Sequence, residues 1–270
     1  MMEALLAGLF GLLTGSFLNV CIYRMPRDLS VVRPRSHCPS CEQTIAWHDN
    51  IPVVSYMLLR GRCRACGAGI PMRYPLVELV TGACFGVAVW VLGPTLMAAK
   101  LCVFSAILIA LFFSDLEERI LPDEFTLGGT VAGILLAAFI PLAGIGRMFL
   151  PEANAALVSV VESAFAAGFS ALTLWGVGAL YQKLRHREGL GLGDVKMVAM
   201  IGAFLGLNGV LLTLMAGSTL GAAVGLVYIS ISRKDASTYE LPFGSFLAVA
   251  ALLVAFYGNA ATAWWGGLGG

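Results

Sequence analysis

The chain has 270 residues, of which 59% are hydrophobic and 12% are charged, and its mean hydropathy is +0.85. A soluble domain has about 45–50% apolar and about 25% charged residues, and one of this size could not remove so much apolar surface from water. The composition therefore excludes a soluble enzyme, a disordered regulator and a fibrous protein, and it predicts an all-α polytopic membrane protein embedded in a lipid bilayer. The net charge of +1 gives no reason to expect a nucleic-acid partner.

Residues 1–24 are predicted to form the first transmembrane helix. Their apolar run of about 20 residues is long enough to cross a bilayer. Glu3 precedes the run and Arg24 and Arg27 follow it, whereas a cleaved signal peptide has its positive charge at the other end. We therefore expect an uncleaved helix with its N-terminus outside.

Residues 25–75 form the main polar stretch and are predicted to be a cytoplasmic cysteine domain. Eight of the seventeen Lys and Arg residues lie here or at its edges: Arg24, Arg27, Arg33, Arg35, Arg60, Arg62, Arg64 and Arg73. Because positive residues favour the inner side of a membrane, this segment is expected in the cytoplasm.

Two C-x-x-C pairs lie in this domain, Cys38 with Cys41 and Cys63 with Cys66. Their separation of about 20 residues is close to that of zinc ribbons, in which four thiolates form a tetrahedron. Four cysteine ligands leave no open position for water, so the predicted zinc is structural. The alternative is a pair of disulfides or free thiols, and a cytoplasmic location argues against disulfides.

Residues 76–262 are predicted to form a transmembrane core. Its apolar segments are 76–97, 98–114, 125–145, 155–181, 194–207, 210–231 and 242–260, which with the first helix make about eight spans. The inside loops would hold Arg119, Lys183, Arg185, Arg187, Arg233 and Lys234, and the outside breaks only Lys100 and Arg147. This distribution places both termini outside.

Asp115 and Asp194 are the candidate catalytic residues. Asp115 follows the apolar run 101–114, and Asp194 follows the glycine-rich segment 189–193, so both are expected at cytoplasmic helix ends. Two neighbouring carboxyl groups can share one proton and activate water against a peptide carbonyl. Alternatively, Asp194 is only a helix cap and Asp115 one more solvated loop acid. No strand precedes the glycines, which excludes a Rossmann nucleotide site.

Polar residues within the apolar helices are a separate signal. Ser16 and Asn19 in the first helix are expected to hydrogen-bond to another helix. Glu78 stands near the start of the second span and is expected to reach the membrane interface.

Several ordered motifs resemble the type IV prepilin peptidase family. They are Gly15-Ser-Phe-Leu-Asn-Val20 with Tyr23-Arg-Met-Pro26, the two cysteine pairs, Asp49-Asn-Ile-Pro-Val-Val-Ser55, Arg73-Tyr-Pro-Leu-Val-Glu78, Asp115 with Ile120-Leu-Pro-Asp123, and Gly191-Leu-Gly-Asp194-Val-Lys196. The resemblance extends from about residue 8 to about residue 250. One departure is Ser245, where the family pattern usually has proline; it is far in sequence from both aspartates.

This resemblance implies a GxGD-type aspartic peptidase with Asp115 and Asp194 as its catalytic pair. The substrates would be prepilins or pseudopilins of type IV pili, type II secretion or DNA uptake, whose basic leader is cut at the inner face of the bacterial cytoplasmic membrane. The resemblance also implies methylation of the new N-terminus from S-adenosylmethionine, although no methyl-donor pocket can be identified in the sequence. A transporter or channel is the alternative class, but no internal symmetry between two halves supports it.

Overall fold

The computed structural model describes residues 1–142, 144, 150, 152–186, 190–232 and 242–267, without the side chains of 229, 232 and 259–267. The regular elements among these residues are helices joined by loops, and no strand is formed among them. The helices are α1 (Met2–Arg24), α2 (Val54–Leu58), α3 (Arg73–Leu92), α4 (Leu96–Glu118), α5 (Asp123–Ala137), α6 (Ala155–Arg185), α7 (Leu192–Ser232) and α8 (Phe243–Gly267). The predicted loop residues Arg147, Arg187, Gly189, Arg233 and Lys234 lie outside the described residues.

The all-α class is confirmed. Helix α7 contains a break at Gly206, whose φ is 72° and ψ is −178°, near the predicted boundary between the spans 194–207 and 210–231. When α7 is divided at this break into two helical parts, each of the eight predicted apolar segments corresponds to one helical segment. Among the described residues, five helices are long and apolar enough to cross a membrane, and Phe243–Gly258 is a shorter apolar helix. The chain is therefore a multi-pass membrane protein.

Helix α4 is longer than predicted and contains Asp115 in its last turn. The prediction ended this span at residue 114 because Glu117 and Glu118 resemble a solvated loop. The helix instead continues until Arg119, whose φ of 56° is left-handed, as is common at helix C-termini. Asp115 therefore sits on a rigid helical element rather than in a loop.

The chain divides into two compact units, Met1–Ala110 and Leu111–Gly270, and the division falls within α4. In the first unit, α1 packs closely on α3. A Cβ atom at Gly11 would lie 2.8 Å from the Cα of Gly82, and one at Gly15 would lie 2.7 Å from the Cα of Glu78. Because glycine lets two backbones approach this closely, these positions determine how α1 and α3 pack.

In the second unit, α7 packs against α5, α6 and α8. A Cβ atom at Gly202 of α7 would lie 2.8 Å from the carbonyl oxygen of Ala166 in α6. The interior also contains large fully buried side chains of α7: Met197, Met200, Ile201 and Phe204. Helix α7 is therefore the central helix of this unit, and its first turn carries Asp194.

The outer faces of the helices expose large apolar side chains. On α1 these are Leu5, Leu6, Leu9, Phe10, Leu13 and Phe17, and α6 exposes Phe165, Phe169, Leu172 and Trp175. In water such faces would be unfavourable, whereas lipid tails solvate them without loss. The pattern agrees with a bilayer around the helices.

Candidate functional sites

The two cysteine pairs form two turns with the same backbone hydrogen bonds. The N–H of Cys38 donates to the carbonyl of Gln43 at 3.0 Å, and the N–H of Cys63 donates to that of Ala68 at 2.8 Å. An antiparallel bridge accompanies each turn, His37 with Thr44 in the first and Arg62 with Gly69 in the second. Each half of the cysteine domain is thus a separately hydrogen-bonded knuckle.

The knuckles bring all four predicted metal ligands together. The sulfur atoms of Cys38, Cys41, Cys63 and Cys66 all lie within 4.8 Å of one another, and those of Cys38 and Cys66 are 3.8 Å apart. A zinc ion at about 2.3 Å from each sulfur of a tetrahedron requires nearly this separation. A disulfide requires about 2.05 Å, and all four thiols are free. The cluster can therefore hold a metal ion.

The environment of Cys38 favours a ligand thiolate. Hydrogen bonds from the backbone N–H groups of Ser40 and Cys41 lower the pKa of Cys38 to about 6. Since a thiolate rather than a thiol coordinates zinc, Cys38 is the cysteine of this knuckle that ionises more readily, whereas the pKa of Cys41 is raised to about 11 by burial and its neighbouring thiols. The positive φ of Gly67, 73°, directly after Cys66, also agrees with the sharp turn expected around the sulfur atoms.

Asp115 is buried in the second unit, with 6% of its surface exposed. Its Oδ2 accepts two hydrogen bonds from Ser245, one from the backbone N–H at 2.6 Å and one from Oγ at 2.9 Å. Ser245 lies in the first turn of α8, where backbone N–H groups have no full set of helical partners. Asp115 thus accepts hydrogen bonds from the N-terminus of α8, where the helix dipole favours a negative charge.

Asp194 lies in the first turn of α7 and is partly buried. A salt bridge from Lys196 Nζ to Asp123 Oδ1, 2.7 Å long, joins the first turns of α7 and α5. The two catalytic candidates are close enough for the charge of Asp115 to act on Asp194.

Leu121 packs between the segments that carry the two aspartates. A Cβ atom at Gly193 would lie 3.3 Å from the Leu121 side chain, and one at Gly244 would lie 3.1 Å from both Leu121 and the Asp115 carboxyl group. The end of α4 and the starts of α5, α7 and α8 therefore converge around the two carboxyl groups. Such a pair can provide one proton acceptor and one proton donor.

Ser245 is the site residue that sequence reasoning missed. It stands 130 positions from Asp115, so nothing in the sequence indicated a contact between the two residues. In the fold, its side chain nevertheless touches the Asp115 carboxylate. The sequence signal that could have pointed to Ser245 is that serine replaces the proline usual in the family pattern. Proline has neither a backbone N–H nor a hydroxyl group, so it could form neither of these two hydrogen bonds.

Glu78 is a second buried carboxyl group, in the first unit, with 7% of its surface exposed. Its Oε2 accepts a hydrogen bond from the backbone N–H of Val53 at 2.7 Å, and Ser16 of α1 also hydrogen-bonds to it. Within the first unit, α1 and the loop before α2 therefore cover Glu78.

The loop that contacts Glu78 is held in a strained conformation. Val53 has φ 62° and ψ −48°, which a β-branched residue adopts only at a cost of about 1–3 kcal/mol. Ser55 Oγ donates to the carbonyl of His48 at 2.8 Å and accepts from the N–H of Ile51 at 3.0 Å. These bonds fix the loop and point the Val53 N–H at Glu78.

An ion pair connects this loop to the second knuckle. The Arg64 guanidinium donates to both oxygens of Asp49, at 2.7 and 2.6 Å, and these hydrogen bonds hold the pKa of the Asp49 carboxyl below its usual value. A bidentate pair of this kind fixes direction as well as distance. The cysteine domain therefore positions the loop that contacts Glu78.

Comparison with known families agrees with both units. Residues 9–92 match the family described as "Bacterial Peptidase A24 N-terminal domain", and residues 102–226 match the "Type IV leader peptidase family". No solved structure matches the chain.

Similar curated proteins are named "Prepilin leader peptidase/N-methyltransferase". That of Myxococcus xanthus is 41% identical over 81% of this chain, which spans 61% of that protein's length. Those of Stutzerimonas stutzeri and Neisseria gonorrhoeae are 32% and 33% identical, each over 96% of this chain and 92% and 93% of their own lengths. With its cysteine knuckles and converging aspartates, the chain belongs to the type IV leader peptidase family.

Proposed function

We propose that this protein is a membrane aspartic endopeptidase that removes the leader from type IV prepilins or pseudopilins, with Asp115 and Asp194 as its catalytic pair. The observation that supports this most strongly is the convergence of α4, α5, α7 and α8 around the two carboxyl groups. Family membership and the names of the relatives agree with it. The same protein would methylate the new N-terminal residue with S-adenosylmethionine as the donor.

Cleavage by such a pair follows general acid–base chemistry. The ionised aspartate takes a proton from water while the water oxygen attacks the peptide carbonyl carbon, and the protonated aspartate donates its proton to the carbonyl oxygen. The C–N bond then breaks as a proton passes to the leaving amine. Gly191 and Gly193 precede Asp194 and carry no side chain, so a substrate backbone can approach the second aspartate closely.

The proposed location is the bacterial cytoplasmic membrane, with the active site at its inner face. Residues 1–24 would form the first crossing, 25–75 a cytoplasmic zinc domain, and 76–262 the transmembrane peptidase core. The four thiols would hold one structural zinc ion, whose contribution is to fix the two knuckles together rather than to activate water. A prepilin has its scissile bond between a basic leader and an apolar helix, which suits a site at the cytoplasmic membrane surface.

The test is cleavage of a purified prepilin substrate by the full-length enzyme in detergent. Asp115→Asn and Asp194→Asn keep nearly the same shape but can transfer no proton, so each should lower kcat by a factor of at least about 10²–10⁴. Both losses should be similar, because groups that act as a unit are not additive. Near-normal cleavage by either folded variant would remove that residue from the pair.

Glu124→Gln is the matched control. Glu124 is an exposed carboxylate one residue after Asp123 at the start of α5, so its neutralisation changes the charge near the site without touching the pair. Its kcat should stay within about twofold of the wild-type value, as is usual for surface substitutions.

A further inference from the structure

A cavity of about 430 Å³ lies within the first unit, between α1, α3 and the cysteine domain. Its volume falls in the range of small-molecule sites, roughly 300–1,000 Å³. The peptidase chemistry proposed above uses no residue of this unit. Two of the sequence motifs, Asp49–Ser55 and Arg73–Glu78, also have no part in that chemistry, and both contribute residues to the cavity wall.

Asn19 lines this cavity and joins α1 to α3. The side chain is 2% exposed, and its Nδ2 donates to the carbonyl oxygens of Gly15 at 3.3 Å and Tyr74 at 3.0 Å. Carbonyls only accept, so these two bonds fix which end of the amide is nitrogen. The Oδ1 atom is itself fully buried, so the role of Asn19 is to hold the two helices together at the cavity wall.

Glu78 supplies a buried carboxyl group at the same cavity. The strained Val53 and the hydroxyl of Ser16 hold its carboxylate in place. A strained backbone that persists in a fixed loop indicates a functional constraint, because a flexible loop would relax. Buried carboxylates are rare without a partner of opposite charge, so a cationic ligand would complete this site.

Arg24 also lines the cavity and is 7% exposed. It donates to the carbonyl oxygens of Ser30 at 2.9 Å and Pro34 at 2.8 Å. Carbonyl groups do not neutralise a guanidinium, so a full positive charge remains beside the cavity. Arg64 and Asp49 also line the cavity but neutralise each other. Arg24 and Glu78 therefore remain as a cation and an anion, which matches a zwitterionic amino-acid group, and Tyr56 and Tyr74 add aromatic surface.

We propose that this cavity binds the sulfonium methyl donor, with the Glu78 carboxylate facing its positively charged groups and Arg24 facing its carboxylate. The inference rests on the proposed methyl transfer and gives it a location. In that reaction the lone pair of a neutral amine forms the N–C bond while the C–S bond breaks and its electrons pass to sulfur. The positive charge moves from sulfur to nitrogen, and the donor leaves as a neutral thioether.

The direct test is equilibrium dialysis of the purified full-length protein in detergent against radiolabelled S-adenosylmethionine. Glu78→Gln keeps the shape and an acceptor for the Val53 N–H but loses the charge, so the Kd should rise at least tenfold. Its prepilin cleavage should stay within twofold of wild type. Glu3→Gln is the control, because Glu3 is an exposed acid of the same unit outside the cavity; its Kd should not change.

Ultraviolet crosslinking of the same donor to the wild-type protein provides a second readout that needs no variant. Mass spectrometry should locate the label within residues 16–24, 43–56 or 69–78. Label confined to residues 111–270, or an unchanged Kd for Glu78→Gln, would overturn the assignment of the cavity. A wild-type enzyme that cleaves but neither binds the donor nor methylates would instead overturn the methyl-transfer function itself.

Discussion

Ser245 places two donors on a single oxygen of Asp115, its backbone N–H and its hydroxyl group. The hydroxyl also lies 3.1 Å from the carbonyl oxygen of Phe112 in α4. Hydrogen bonds to a charged acceptor are stronger than neutral ones and more directional. The serine therefore fixes the orientation of the carboxylate relative to α4 and α8.

Replacing Ser245 should affect catalysis more than substrate binding. Ser245→Ala removes the hydroxyl bond but keeps the N–H bond, and we expect kcat to fall about tenfold, corresponding to roughly 1.4 kcal/mol, with KM nearly unchanged. Ser245→Thr keeps the hydroxyl and should retain most of the activity. Steady-state cleavage of a prepilin substrate measures both constants, and a wild-type kcat for Ser245→Ala would contradict the positioning role.

The two aspartates were predictable from sequence, whereas their neighbours were not. Asp115 stands at the end of an apolar run and Asp194 at the start of one, each within a short motif, which is local information. The contacts of Asp115 with Ser245 and of Glu78 with Val53 join residues far apart in the chain and depend on how helices pack. A single sequence contains no record of such pairs, so tertiary structure was needed to find them.

At the scale of elements, the two knuckles should depend on one metal ion. Serine in place of Cys38, Cys41, Cys63 and Cys66 removes the thiolates, so this variant should contain no zinc, whereas the wild type should contain about one ion per chain. Cys102→Ser changes a cysteine of α4 and should keep the metal. Elemental analysis of the purified proteins makes the comparison.

The functional consequence of metal loss should differ between the two activities. The ion pair of Arg64 with Asp49 connects the second knuckle to the loop that contacts Glu78. Donor binding should therefore weaken in the four-serine variant while some prepilin cleavage persists. Complete loss of cleavage in a folded, zinc-free protein would contradict a purely structural metal.

Helix packing in the second unit depends on a missing side chain at Gly202. Gly202→Ala would place a methyl group against the backbone of Ala166 in α6, which cannot move aside, and should destabilise the protein by about 1–3 kcal/mol. Gly168→Ala is the control, because a Cβ atom there has no neighbour within 4 Å. It should be neutral or stabilising by up to about 1 kcal/mol. Thermal unfolding in detergent compares the two, and equal midpoints would contradict the close α6–α7 contact.

Helix positions followed from the sequence because apolar runs and their breaks are local features. The predicted span 155–181 corresponds to α6, which begins after Asn154, whose side chain accepts from the N–H of Leu157 at 2.8 Å. The end of α4 was missed because acidic residues are equally acceptable in a solvated last helical turn and in a loop. The short helix α2 was also not predicted, since its five residues are too few to show a helical period.

For the whole molecule, the distribution of positive residues predicts that both termini face outward. Reporter fusions near residues 50 and 190 should both score as cytoplasmic, because each follows an odd number of predicted crossings and adjoins an Arg- or Lys-containing segment. A fusion at residue 50 that scores as external would contradict the orientation of α1. If only the fusion at residue 190 scores as external, that result would contradict the number of crossings predicted between residues 50 and 190.

The strained Val53 has a consequence for the evolution of this protein. Glycine adopts a positive φ without a steric penalty, so selection for thermal tolerance alone would favour Val53→Gly. The same change would give the loop more freedom and let the amide turn away from Glu78. Stability and function would then impose opposite selection at one position, a trade-off common where a site depends on strain. Laboratory evolution under heat, without a requirement for donor binding, should therefore recruit changes at Val53 early.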